Sequence, residues 1–175
     1  MNGFKIVINM DIEIRKIDAR DNKQLAAIIR QTLKEFKADK PGTVFYDEST
    51  DHLSDLFVVQ NSVYYVALKD GKLLGGAGIY PTEGLPDDTL ELVKMYLLPE
   101  ARGLGLGKKL IIQCVETARK LGYKKIYLET MAELSKAVLT YERLGFVRLD
   151  GQLGNSGHHS CEIWMIKDIE ARQSI

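Results

Sequence analysis

The sequence predicts one mixed α/β domain, with a central, mostly antiparallel sheet flanked by helices. Three observations carry this. Short strand-like runs recur along the chain, a tight Asp70-Gly71 turn joins two of them, and amphipathic helical stripes interrupt the series. The hairpin requires antiparallel neighbours, whereas a strand–helix–strand crossover requires a parallel pair, so the sheet has to be mixed. At 175 residues and 45% hydrophobic, the chain can bury a substantial core. It shows no repeat, low-complexity tract or linker, so a single domain over residues 1–175 is expected, with its core at 12–168.

In order, Ile12 to Ile17 alternates apolar and charged residues, as a half-buried strand does. Asp21 and Gln24 form a capping-box pattern ahead of a helix with the stripe Leu25, Ile28, Ile29, Leu33 and Phe36. Pro41-Gly42 breaks the chain, and Ser49 or Thr50 is placed to cap a shorter helix bearing Leu53, Leu56 and Phe57. Val63 to Lys69 and Lys72 to Tyr80 read as the two hairpin strands. A loop, Pro81 to Asp88, leads to a strand at Thr89 to Leu97.

A glycine-rich turn then opens a helix with Leu110, Ile111, Cys114, Ala118 and Leu121 on one face and Gly122 at its end. Lys125 to Glu129 is strand-like. Leu134, Ala137, Val138, Tyr141 and Leu144 make another helical stripe, closed by Gly145. Phe146 to Leu149 and Cys161 to Lys167 finish as strands. The order is β-α-α-β-β-β-α-β-α-β-β.

Composition excludes several classes. Lys+Arg and Asp+Glu are 24 each, and no run of five like charges occurs, so nothing recommends nucleic acid as a partner. Two cysteines, Cys114 and Cys161, cannot build a disulfide framework. Apolar runs fall far short of a membrane span, and MNGFKIVINMD has no A-x-A-like cleavage site. A soluble cytoplasmic protein with no membrane association is expected. His158, His159 and Cys161 match no zinc spacing, so no metal is expected either. Cys114, on an apolar helix face, and Trp164, between Ile163 and Met165, read as packing.

The chemistry concentrates in Arg102-Gly103-Leu104-Gly105-Leu106-Gly107-Lys108-Lys109. A glycine turn entering a helix presents backbone N–H groups at the positive end of the helix dipole, which suits a pyrophosphate. Neither the dinucleotide spacing G-x-G-x-x-G after a first strand nor the P-loop G-x-x-x-x-G-K-[ST] is satisfied.

With these residues the sequence resembles the GNAT family of N-acetyltransferases. Arg102 to Gly107 fits the family's [RQ]-x-x-G-x-[GA] motif, preceded by Met95-Tyr96-Leu97-Leu98-Pro99. Ala137, Tyr141, Gly145 and Phe146 fit its A-x-x-x-Y-x-x-x-G-F signature. The resemblance implies acetyl-CoA as co-substrate. The N–H groups from Gly103 to Lys108 would cradle its pyrophosphate, and the strand edge at Met95, Tyr96 and Leu97 would pair with the pantetheine arm. The N–H of Met95 or a neighbour would polarise the thioester carbonyl.

Many members carry an asparagine seven residues before the tyrosine. Leu134 stands there, and the adjacent Ser135 is the candidate substitute. Tyr141 is the implied acid beside the sulfur. Glu91, eleven residues before Arg102, is the candidate base, with Glu129 or an ordered water as alternatives. Glu83, His158 and His159 lie in two loops, Pro81 to Asp88 and Gly151 to Ser160, expected to flank an amine acceptor, small molecule or protein. The expected reaction is direct acetyl transfer in a ternary complex. The competing expectation is a non-catalytic acyl-CoA-binding module of the same fold. A homodimer is compatible with the exposed strand edges that the fold implies.

Overall fold

The computed structural model describes residues 11–170. The stretch MNGFKIVINMD, read above for a cleavage site, lies outside the described residues except for Asp11. Seven strands form one sheet: β1 (Ile12–Lys16), β2 (Val63–Lys69), β3 (Lys72–Tyr80), β4 (Thr89–Leu97), β5 (Lys125–Thr130), β6 (Val147–Leu149) and β7 (Ile163–Asp168). The helices are α1 (Asn22–Glu35), α2 (Leu53–Leu56), α3 (Leu106–Lys120) and α4 (Ser135–Arg143). Strand order is β1-β2-β3-β4-β5-β7-β6, and every neighbouring pair is antiparallel except β4–β5. This is the expected mixed sheet, and the element order agrees throughout.

Three local readings need correction. The capping box lies three residues upstream of Asp21–Gln24. The Asp18 carboxylate accepts from Arg20 N–H (2.9 Å), and the Asp21 carboxylate reaches back to Asp18 N–H (2.8 Å) while gripping Arg15. Asp21 precedes α1 but makes no side-chain cap to it, because that carboxylate is already committed. Neither Ser49 nor Thr50 caps α2. The Thr50 hydroxyl donates to the Val44 carbonyl at 3.0 Å, and a 3₁₀ turn, Glu48–His52, leads into the helix. Leu121 is 44% exposed, because α3 ends one residue earlier and Gly122 (φ 89°) turns the chain away.

The core lies between the sheet and helices α1 and α3. Leu25, Ile29 and Leu33 bury one face of α1; Leu106, Leu110, Ile111, Cys114 and Ala118 bury one face of α3. Cys114 is therefore core, as its apolar helix face implied. Trp164 lies in β7 opposite Glu129 and Leu149.

Candidate active site

The site arises where the sheet comes apart. β4 and β5 pair only at Thr89–Lys125, Leu90–Ile126 and Glu91–Tyr127. Beyond Glu91 the strands diverge: β5 stays with β7, and β4 continues to Leu97 bonded only to β3. A parallel pair that splays leaves one strand edge with unpaired peptide groups.

A bulge re-aims that edge. Across β3–β4 the register steps from Gly78–Val93 to Gly76–Tyr96, so β4 carries one extra residue, and Lys94 takes φ 49°. The buried Tyr64 hydroxyl donates to the Lys94 carbonyl at 2.8 Å. Glycines make room for that tyrosine: a Cβ on Gly76 would lie 2.5 Å from the Tyr64 ring, and one on Gly78 2.7 Å.

Two cavities open from this splay. One, of about 590 Å³, runs along Met95, Tyr96 and Leu97 to Arg102, Gly103, Gly105, Leu106, Gly107 and Lys108, with α4 opposite. The first α3 hydrogen bond runs from Lys109 N–H to the Gly105 carbonyl (3.1 Å), so Leu106, Gly107 and Lys108 N–H have no acceptor inside the helix. Gly103 (φ 79°) and Gly105 (φ 73°) adopt left-handed backbone, and a Cβ on either would meet nothing within 4 Å. That open space beside free N–H groups fits a diphosphate. The Arg102 guanidinium makes a fork to Glu35, bonds the Leu97 carbonyl (3.1 Å) and lies over the Phe36 ring. It thus braces the turn against α1. Leu104 and Ser135 lie outside this lining. Ser135 is exposed at the start of α4, and Leu134 faces the cavity in its place.

The other cavity, of about 440 Å³, is lined by Asp47, Glu83, Glu91, Lys94, Glu129 and His158 among others. The two loops expected to flank an acceptor meet: Asn155 N–H donates to the Glu83 carbonyl at 2.7 Å. His158 lines the cavity, whereas its neighbour His159 is exposed and does not. Glu91 is 4% exposed and accepts the Thr82 hydroxyl. Burial pushes its carboxyl up to about 7, with the nearby Glu129 adding to the rise. Glu129 accepts from Tyr127 OH (2.9 Å), Gln152 (2.9 Å) and Ser156 (2.6 Å).

Lys94 does not pair with Glu91. Its buried ammonium lies 3.2 Å from Asp47 Oδ2, the oxygen that His158 Nε2 also meets at 2.9 Å. Burial lowers the Lys94 pKa. Burial alone would raise the Asp47 carboxyl, but His158 and Lys94 together hold it below its ordinary value. Asp47 escaped the sequence reading: it sits in the irregular stretch between α1 and α2, where no periodicity or motif marks it.

Tyr141 stands at the junction. Its buried hydroxyl lies 3.6 Å from Met95 Sδ, and burial pushes its pKa up. The Tyr-x-x-x-Gly-Phe spacing has a local cause. Gly145 (φ 87°) ends α4, Phe146 N–H returns to the Tyr141 carbonyl at 3.0 Å, and the two rings pack edge to face. The helix stop therefore clamps the tyrosine. Among the described residues, no group of three or more His, Cys, Asp or Glu is placed to hold a metal ion, and no helix is long and apolar enough to cross a membrane.

The family model "Acetyltransferase (GNAT) family" matches residues 25–146, and the chain belongs to that family of acetyl-CoA-dependent N-acetyltransferases. It is 41% identical over 158 residues to YjgM of Escherichia coli K12, an N-acetyltransferase by name, covering 89% of this chain and 94% of that one. In fold it resembles a GNAT-family acetyltransferase from Staphylococcus aureus Mu50 (TM-score 0.78, 17% identity, 91% and 100% covered). It also resembles the PaiA N-acetyltransferase of Thermoplasma acidophilum in complex with coenzyme A (TM-score 0.71, 23% identity, 91% and 99% covered).

Proposed function

We propose that this chain moves an acetyl group from acetyl-CoA directly to an amine held in the same complex. One observation carries the reading: the two cavities share Met95, Tyr96, Leu134 and Tyr141 as common wall. Two substrates entering from opposite ends would meet there, and direct transfer needs that contact. The coenzyme-bound structural relative supports assigning the glycine-turn cavity to acetyl-CoA, whose thioester supplies the acyl group.

The residues then divide the work. The α3 N-terminus and Lys108 hold the diphosphate, and the free β4 edge receives the pantetheine arm. Glu91, with a pKa near 7, takes the proton that the ammonium must lose before the nitrogen attacks. Tyr141 stays protonated at any working pH because burial raises its pKa, so it serves as a hydrogen-bond donor to the departing sulfur. Cys161 lines the acceptor cavity, but burial pushes its thiol up to about 12. So little thiolate at neutral pH argues against a cysteine-bound acyl group.

Initial rates measured over a grid of acetyl-CoA and amine concentrations test this. Direct transfer gives intersecting double-reciprocal lines and an active Cys161→Ser variant. Parallel lines, or a dead Cys161→Ser variant that still folds, would overturn it.

A further inference from the structure

More acidic than basic side chains line the acceptor cavity. Asp47, Glu83, Glu91 and Glu129 face it, against Lys94 and His158. Both of those basic side chains are committed to one oxygen, Asp47 Oδ2. Among the described residues, no Lys, Arg or His forms a salt bridge with Glu83, Glu91 or Glu129. Glu91 is buried with only the Thr82 hydroxyl as partner. Glu129 is fixed by three neutral donors, two on Oε1 and one on Oε2. A carboxylate offers about four lone-pair directions, so Glu129 retains one for a ligand.

Glu91 is buried, Glu129 is half-buried and Glu83 is exposed at the rim, so the cost of charge without a salt-bridge partner falls chiefly on Glu91, and a cationic ligand relieves it. A ligand carboxylate would meet the opposite situation. It would lie among acidic side chains, and the basic side chains of the lining, Lys94 and His158, are already committed to Asp47.

We propose that the acceptor is a primary amine that carries a second cationic group and no carboxylate, a diamine or an aminoalkyl guanidine. The reacting amine sits against Glu91 and the second cation against Glu129. The proposal rests on the acetyltransferase reading above. Binding as an ammonium ion and reacting as an amine are compatible, because Glu91 is the group that removes the proton.

The test compares matched pairs that differ by one carboxylate. Cadaverine against lysine and agmatine against arginine are assayed for kcat/KM at fixed acetyl-CoA, with tyramine as the amine lacking a second cation. The decarboxylated member should be at least about tenfold better in both pairs, and cadaverine or agmatine should exceed tyramine. Glu129→Gln should narrow the cadaverine-to-tyramine ratio several-fold. Glu129→Ala, which removes the carboxylate altogether, should narrow it in the same direction should the first variant fold poorly.

Equal or better turnover of lysine or arginine overturns the proposal. So does an unchanged ratio in both folded variants, or acetyl-CoA binding without turnover of either diamine. Calorimetry with acetyl-CoA on the same samples separates the two levels. Absent acetyl-CoA binding overturns the acetyltransferase reading, and the proposal falls with it.

Discussion

Glu91 holds a carboxylate where almost no water reaches it, at the last paired residue before β4 and β5 part. Its pKa of about 7, against an ordinary 4.5, suits the base role proposed for it and makes it a liability to the fold. Folding favours its protonated form, so its contribution to stability is fully present below about pH 4.5 and is lost as pH rises through about 7. Above that, the buried charge costs on the order of 3 kcal/mol. Urea unfolding of Glu91→Gln should therefore match wild type near pH 4 and become the more stable of the two by pH 8. In activity the order reverses. Wild-type kcat/KM should rise through about pH 7, and the variant should lose that limb and about 10²-fold in rate. A wild-type pH–rate profile in the variant would shift the role to Glu129 or to water. Tyr141→Phe keeps the shape but removes the donor. It should lower kcat by about 10–10³-fold, with acetyl-CoA affinity near wild type by calorimetry.

At the level of elements, two features prepare the cleft. The first is the start of α3. Gly105→Glu places a carboxylate where a diphosphate would lie, in space that the fold leaves open. Acetyl-CoA affinity should fall by about 100-fold or more, nearly 3 kcal/mol. The circular dichroism spectrum should persist, since one left-handed non-glycine residue costs only about 1–2 kcal/mol. Wild-type affinity in the folded variant would remove the turn from the coenzyme site. The second feature is the β4 bulge, whose carbonyl is satisfied by the Tyr64 hydroxyl. Tyr64→Phe leaves that buried acceptor without its donor. It should cost about 1–3 kcal/mol in denaturant unfolding, and kcat should fall as the neighbouring Met95 edge loosens.

The whole molecule converges on Asp47. One of its oxygens joins the segment after α1, the bulge on β4 and the loop between β6 and β7. The Ser160 hydroxyl adds a second tie to the Pro41 carbonyl at 2.7 Å, and Lys40 reaches Glu133. Asp47→Ala strands the buried Lys94 ammonium without its counter-charge. It should destabilise the fold by on the order of 3 kcal/mol, or drive Lys94 neutral. Hydrogen exchange should quicken in 38–52 and 151–160 together, because the two segments share the tie. Faster exchange in only one of them would show that this wall of the cavity is not held as a unit.

What the sequence determined by itself was whatever local rules enforce. Alternation, helical stripes and the Asp70-Gly71 turn specified eleven elements in order, since each of those signals acts within a few residues. The glycine turn before α3 and the Tyr141–Gly145–Phe146 spacing were legible for the same reason: a left-handed glycine and a helix stop are written in adjacent residues. Errors appeared where a side chain had a choice of partners. Asp21 was free to cap α1 or to grip Arg15, and packing chose Arg15. His158 and His159 are indistinguishable in sequence, yet only His158 faces the cavity, because Asp47 draws it in. The raised pKa of Glu91, the bulge at Lys94 and the gathering of Asp47, Glu91 and Glu129 around one cavity were decided by tertiary structure alone. Each depends on groups distant in the chain that meet only when the sheet opens, and burial and electrostatic coupling act through space rather than along the sequence.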